Sequence, residues 1–518
     1  MRRLVRATAI LGLGSAATVA AAIIRAKILA ARLGPEGTGV LAQLGGLTAV
    51  LVPFATLGAG NGVISLIAEA RGRGDLARIR RITNTAIHLA WGLGLAFAVL
   101  TAALSPWIAQ GIYRDRGFAW AIILGAITVP LSAVASLRIA MLQGHEAVRS
   151  MAALNAIVAA LGIATIVPMA WIFGVKGAVA QLVLVALAQV WLSRRFLRPL
   201  TPAAAVGTVG RRVPGEVDGR SVTPSPGTLR PTDPEATPRE PRIDRSLLAP
   251  IARYGGSALL VGLSSTLTLL VLRSILVQKL GIAQNGIYQV CVGVSGLTMP
   301  LILNSISATV WPEIASKRND SDTIAAMSGA IRLGFLLVTV LCASLLVGAP
   351  VWVPLFYSHK FAGALDLLPF QFLGDYFRTG AWTFGIWLVP RDRLRPWVLF
   401  DVIYGIVLLA AFLLLVDRVG LKSVVFAYVA AHVSHAVLHY ALARRALGFR
   451  LGRDNTILLG ASFALLLGLA LVQPEDWLGV VLGGVAVLAW AVIVVKRREW
   501  LALRQMAGRV LGLPTAGS

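Results

Sequence analysis

The chain has 518 residues, 57% of them hydrophobic and only 14% charged, with a formal net charge of +25. Soluble domains run at about 45–50% apolar and about 25% charged residues, so water is not the main solvent of this chain. The positive charge would ordinarily suggest nucleic acid, but the arginines stand in short clusters between long apolar runs, a pattern that excludes that partner and describes membrane topology instead.

The opening Met1-Arg2-Arg3-Leu4-Val5-Arg6 precedes an apolar stretch longer than a signal-peptide core of roughly 7–15 residues, and is read as a retained first helix. Runs long enough to cross a bilayer lie near residues 7–32, 39–68, 83–104, 118–142, 150–173 and 176–197. A second set lies near 248–278, 286–315, 323–348, 364–389, 397–416 and 421–443, followed by 456–472 and 477–495. The expected fold is an all-α polytopic membrane protein of about 14 transmembrane helices. Its lobes are expected at 1–198 and 246–445, six helices each, joined by a linker at 199–245 and followed by two further helices within 446–498.

With the amino terminus in the cytoplasm, one face receives Arg71, Arg73, Arg78, Arg80 and Arg81, then Arg194, Arg195 and Arg198, and later Arg391, Arg393 and Arg395. Arg444, Arg445, Arg450, Arg453, Lys496, Arg497 and Arg498 fall on the same face. The opposite face gets only scattered charges such as Arg114, Arg116, Lys176, Lys360 and Lys422, so the positive-inside rule places both termini in the cytoplasm.

The linker, rich in Pro, Thr, Arg and Gly, lacks hydrophobic periodicity and is expected to be a disordered cytoplasmic connection. In the tail, 499–518, Trp500, Leu503, Met506 and Val510 recur at helical spacing beside Arg504 and Arg509, which suits an interfacial helix. Cys291 and Cys342 lie inside apolar runs and are expected to pack as small apolar side chains.

The chain repeats itself. Residues 28–34 align without gaps with 275–281, an offset of 247, and at the same offset Gly39 meets Gly286, Gly46 meets Gly293 and Pro53 meets Pro300. With an even number of helices per half, both copies run in the same direction, which places two lobes about an axis along the membrane normal with a central cleft as the substrate site.

Lys27-Ile28-Leu29-Ala30-Ala31-Arg32-Leu33-Gly34-Pro35-Glu36-Gly37-Thr38-Gly39 resembles the first-helix signature of the bacterial O-antigen and polysaccharide translocases, the Wzx-type lipid-linked oligosaccharide flippases. Gly58-Ala59-Gly60-Asn61-Gly62-Val63 and Gln371-Phe372-Leu373-Gly374-Asp375-Tyr376-Phe377-Arg378, leading into Trp382 and Gly385, add to the resemblance, which covers roughly residues 5–445. It implies the fold of the multidrug and oligosaccharidyl-lipid exporter superfamily, with two lobes that open alternately to each side of a bacterial inner membrane. It also implies a cargo of undecaprenyl-diphosphate-linked glycan, with membrane lipids and polysaccharide polymerase machinery as further partners. Many members stop at twelve helices. The extra pair also occurs in peptidoglycan lipid flippases, so a peptidoglycan-precursor flippase or a multidrug exporter of the same fold is the alternative.

Charges inside the apolar runs need a reason, because each costs at least about 2.5–3.5 kcal/mol on insertion scales. Arg25 and Lys27 lie on helix 1 and Arg273 at nearly the same depth on helix 7; these three are expected to converge on an anionic headgroup, with Arg138, Arg332 and Arg378 as further members of a cationic cleft. For Arg138 and Arg332, near helix ends, snorkelling or local pairing is the plainer reading. Asp375 and Arg378, three residues apart, either neutralise each other or take a gating or coupling role, and Asp401 joins them as a coupling candidate. His432, His435 and His439 share one helical face, as a proton relay, a phosphate contact or simply packing.

The sequence has no phosphate-binding loop, no metal motif and no nucleophile–base pairing, so no catalytic residue, metal or cofactor is expected and the chain is not read as an enzyme. Moving about two negative charges outward across an inside-negative membrane gains roughly 4–5 kcal/mol per 100 mV, which is enough to drive flipping.

Overall fold

A computed structural model describes residues 2–200, 243–316, 319–473 and 477–496. The expected disordered linker, apart from its two ends, and the expected interfacial tail lie outside the described residues. The described chain is helical throughout, without a strand. Eleven of its helices are long and apolar enough to cross a membrane. Two of these, α1 (Arg2–Thr56) and α6 (Val148–Leu197), are each a pair of spans joined at a glycine, and the shorter α11 (Leu368–Gly385) adds another, which makes fourteen crossings.

The joints carry the internal repeat. Inside α1 the backbone leaves the helical region at Gly34 (φ 65°, ψ −167°), and Gly281 (φ 92°, ψ 164°) makes the matching break between α7 (Leu248–Leu280) and α8 (Ile282–Ser316). A second pair, unread in the sequence, repeats the device. Gly174 within α6 has φ 57° and ψ −133°, and Gly420, between α12 (Leu394–Val419) and α13 (Lys422–Leu447), has φ 55° and ψ −131°. Positive φ is open to glycine without a steric penalty, so each joint lets the chain turn straight into the next span.

The second expected helix is not continuous. It breaks after Thr56, at Leu57 and Gly58, both with positive φ, and resumes as α2 (Gly60–Gly72). The third, α3 (Leu76–Ala103), begins before its apolar run because the Asp75 side chain accepts from the Arg78 amide at 2.8 Å and caps the first turn. Arg78, Arg80 and Arg81 therefore stand on a helix rather than in a loop. Two short helices were also missed: α4 (Ser105–Tyr113), before α5 (Ala119–Gly144), and its counterpart α10 (Ala349–Phe356), after α9 (Asp320–Val347). Each starts with proline in its first turn, where the missing N–H costs nothing.

Each lobe has its own core. In the first, Ile67, Ile82, Val134 and Met141 are fully buried between α2, α3 and α5; in the second, Phe335, Phe372 and Phe412 are buried around α11. Helix α7 belongs to both, with Ile251 in the first core and Leu272 and Leu276 in the second. Both cysteines are free and buried. The last pair, α14 (Arg453–Val472) and α15 (Trp477–Val494), packs on the second lobe, where the Tyr376 hydroxyl donates to the Leu459 carbonyl at 2.8 Å and Asn455 to that of Ser328 at 3.1 Å. Their outer faces expose Leu471, Val472, Val492 and Ile493, which suits acyl chains.

The lobes meet closely at the end of the bundle that holds Gly34 and Gly281. A Cβ on Gly39 would run into the Ile282 carbonyl oxygen, and one on Gly286 into that of Pro35. Asn285 Nδ2 donates to the Gly39 carbonyl at 3.0 Å, and Arg114 to that of Gln278 at 3.0 Å. Without a hydrophobic force between helices in lipid, such close backbone approach is what van der Waals packing requires.

Candidate functional site

Helix α11 is the axis of the second lobe. It is less apolar than the other spans because other helices surround it: Gln371, Asp375, Thr379 and Thr383 are all buried. Two glycines let α13 lie against it. A Cβ on Gly374 would strike the Tyr428 ring and one on Gly385 the His439 ring, so both side chains sit flush on the α11 backbone. Tyr428 can then donate to Asp375 Oδ1 at 2.8 Å, while Ser295 of α8 donates to Oδ2 at 2.5 Å and accepts in turn from Gln371 Nε2 at 3.0 Å. The Asp375 carboxylate is fully buried and held by two hydroxyl donors.

Beside this network lies a cavity of 420 Å³. Helix α12 lines it with Trp397, Asp401, Tyr404 and Leu408, and α13 with Tyr428, His432, His435 and His439; both sets follow the spacing i, i+4, i+7, i+11, a single stripe on each helix. The two stripes run antiparallel and interlock: the Tyr404 ring lies 4.6 Å from that of His432, and Asp401 faces His435. Helix α11 contributes Gln371, Arg378, Trp382 and Gly385, α8 contributes Tyr288, Ser295 and Trp311, and Ser265 and Gly296 on the rim are exposed.

Of the charged residues expected at the site, the cavity gathers Arg378, Asp401 and the three histidines. Arg378 makes no ion pair among the described residues. Its guanidinium faces the Tyr428 hydroxyl, which links it to Asp375, so the i, i+3 pair is bridged rather than directly neutralised. Asp401 Oδ1 stands 3.6 Å from His435 Nε2, and His435 Nε2 and His432 Nδ1 are both buried without a hydrogen-bond partner.

The other cations lie apart from this space. Arg273 is one layer behind the wall, with its guanidinium 5.6 Å from the centre of the Tyr288 ring and donating to Gln289 Oε1 at 2.5 Å. Arg25 donates to Gln181 Oε1 at 3.3 Å in the first lobe, and Lys27 reaches across to the Pro354 carbonyl at 3.2 Å. Arg138 donates to the Val190 carbonyl at 2.7 Å and Arg332 to that of Val494 at 3.1 Å. Arg25, Lys27 and Arg273 thus have similar depth but separate partners, because counting along a helix gives height and not direction. The aromatic members, Trp311, Trp382, Trp397, Tyr288, Tyr404 and Tyr428, were missed as site residues: they come from four helices, and no local pattern sets them apart from core aromatics.

A family profile described as "Polysaccharide biosynthesis protein" matches residues 4–204, so the cavity lies outside the matched segment. The chain is 22% identical over 424 residues to the lipid III flippase of Escherichia coli (strain K12), covering 80% of this chain and 92% of that protein. In structure it is similar to the lipid II flippase MurJ in an inward closed conformation, with a TM-score of 0.68 at 10% identity over 94% of this chain and 98% of that one. It is also similar to an inward-facing multidrug resistance MATE family transporter of the MOP superfamily, with a TM-score of 0.64 at 15% identity over 85% and 98% of the two chains. At these identities the likeness is one of fold.

Proposed function

We propose that this protein flips an undecaprenyl-diphosphate-linked oligosaccharide, such as an O-antigen or other surface polysaccharide repeat unit, from the cytoplasmic to the outer leaflet by alternating access. Arg378 carries the reading: a guanidinium at membrane depth, without an ion pair among the described residues, lines a cavity in the second lobe. A charge placed there is costly without an anion to meet, and the planar fork of arginine matches a phosphate group bidentately. Arg273 adds positive charge from behind Tyr288, and Lys27 supplies it where helix α1 meets the second lobe. Asp401 and the histidines are the gating or coupling groups on this reading. The similarity to the lipid III flippase supports a lipid-linked cargo.

On this reading both termini lie in the cytoplasm of a bacterial inner membrane, which the clusters of arginine at one end of the bundle support. The glycine contacts then close the outer end, and the cavity belongs to an inward-facing state. A peptidoglycan-precursor flippase is the second reading, favoured by the similarity to the lipid II flippase that extends over 94% of this chain. The test is competition binding to the purified protein in nanodiscs, with undecaprenyl-diphosphate-linked oligosaccharide, the peptidoglycan lipid precursor and a lipophilic cationic drug as rivals. The first should displace the others; preferential binding of the cationic drug would remove the flippase reading altogether.

A further inference from the structure

We propose that Trp311, Trp382 and Trp397, together with Asp401 and His435, form a saccharide subsite that takes a pyranose ring of the cargo next to its diphosphate; the proposal rests on the flippase reading above. The cavity is graded along its length. Gly374 and Tyr428 mark the end near Arg378, and Gly385 and His439 mark the other, eleven residues or about 16 Å farther along α11 and α13. Trp382 stands one helical turn beyond Arg378 on α11, about 6 Å along the axis, which is the reach from a diphosphate to the sugar it carries. A carboxylate at that far end, Asp401, would repel phosphate, so the two ends suit two different chemical groups of one ligand.

The wall at the far end has the features a sugar ring needs. The Trp311 and Trp382 rings lie 6.5 Å apart at an angle of 24°, and Trp382 is fixed by its Nε1 donating to Ser307 Oγ at 3.1 Å. A pyranose has a face of C–H groups that meets the negative face of an indole, and an edge of hydroxyls that must hydrogen-bond. Trp311 also divides this cavity from a neighbouring space of 330 Å³ bounded by Ser307, Pro312 and Pro390, so a glycan longer than one ring has room to continue past it.

The polar atoms around the wall are unsatisfied in a way that hydroxyls would correct. Asp401 and His435 face each other at 3.6 Å, beyond hydrogen-bonding distance, and His435 Nε2, His432 Nδ1 and Trp311 Nε1 are buried without partners. Buried polar groups without partners are uncommon and each calls for a cause. Sugar hydroxyls both donate and accept, so one ring can serve a carboxylate and imidazole nitrogens together.

The experiment measures binding to the full chain in nanodiscs with two probes, undecaprenyl diphosphate and undecaprenyl diphosphate carrying one N-acetylglucosamine. The wild type should bind the sugar-bearing lipid at least tenfold more tightly than the bare one. Trp382→Leu and Trp311→Leu should bring that ratio close to one with bare-lipid affinity unchanged, whereas Trp382→Phe, which keeps an aromatic face, should retain part of it. Asp401→Asn should also lower the ratio, since the amide is a weaker acceptor than the carboxylate. A ratio that survives both leucine substitutions overturns the subsite. A wild type that binds the bare lipid but gains nothing from the sugar also overturns it and leaves the flippase reading standing, while a wild type that binds neither probe ends both.

Discussion

Gly286→Ala should open the end of the bundle that holds Gly34 and Gly281. The new methyl would collide with the Pro35 carbonyl oxygen and lie 2.9 Å from Pro35 Cα, so the obstacle is backbone that cannot rotate away. Overpacking of this kind costs about 1–3 kcal/mol. At about 1.4 kcal/mol per factor of ten, this closed end loses roughly five- to 150-fold in population relative to any state in which α1 and α8 part. The reporter is Gln43→Cys in a background without Cys291 and Cys342, because Gln43 is fully buried one turn below Gly39 and bonded to Ser274 Oγ at 3.4 Å. A membrane-impermeant thiol reagent added on the Glu36 side should label it slowly in the parent and faster by that factor in Gly286→Ala. Gly329→Ala, where an added Cβ meets nothing within 4 Å, is the control and should leave the rate unchanged. Equal labelling of Gly286→Ala and its parent would refute the idea that the paired glycines seal this end.

Arg378→Gln keeps much of the side-chain length but removes a charge-assisted contact worth about 1.5–3 kcal/mol, so affinity for the lipid-linked diphosphate should fall at least tenfold, with Lys rescuing in part; unchanged binding in nanodiscs would count against the cavity as the anion site. Gly374→Ala should push the Tyr428 ring off α11 and strip one donor from the buried Asp375, lowering thermal stability by about 1–3 kcal/mol in a detergent melt, and an unaltered melt would mean that the ring moves freely. Deleting residues 205–240 should leave insertion and export intact, since a linker contributes reach rather than contacts; loss of export at normal membrane abundance would assign it a further role.

Much of the fold was legible because lipid imposes a simple rule on the sequence: spans must be long and apolar, and the chain must turn where glycine permits. The offset of 247 between Gly34 and Gly281 located two such turns. The matching pair Gly174 and Gly420 escaped notice because its offset is 246, so a one-residue shift separates it from the register of the first pair. The site was legible only in part. The histidine stripe announced itself by spacing within one helix, and Asp375, Arg378 and Asp401 by being charged inside apolar runs. Which charges share a space depends on the direction in which each helix faces, and that is set by contacts such as Gly374 against Tyr428 and Gly385 against His439, made between residues 54 apart in each case. Arg25, Lys27 and Arg273 matched in height and parted in direction for this reason.

The central claim is that the second-lobe cavity, at Arg378, receives the diphosphate of a lipid-linked glycan. An electron cryomicroscopy structure of the full chain with undecaprenyl-diphosphate-linked oligosaccharide bound tests it most directly. The account predicts phosphate density within hydrogen-bonding distance of the Arg378 guanidinium, with the glycan directed toward Trp382. Phosphate density against Arg25 and Lys27, with the cavity around Arg378 holding no ligand, would contradict it.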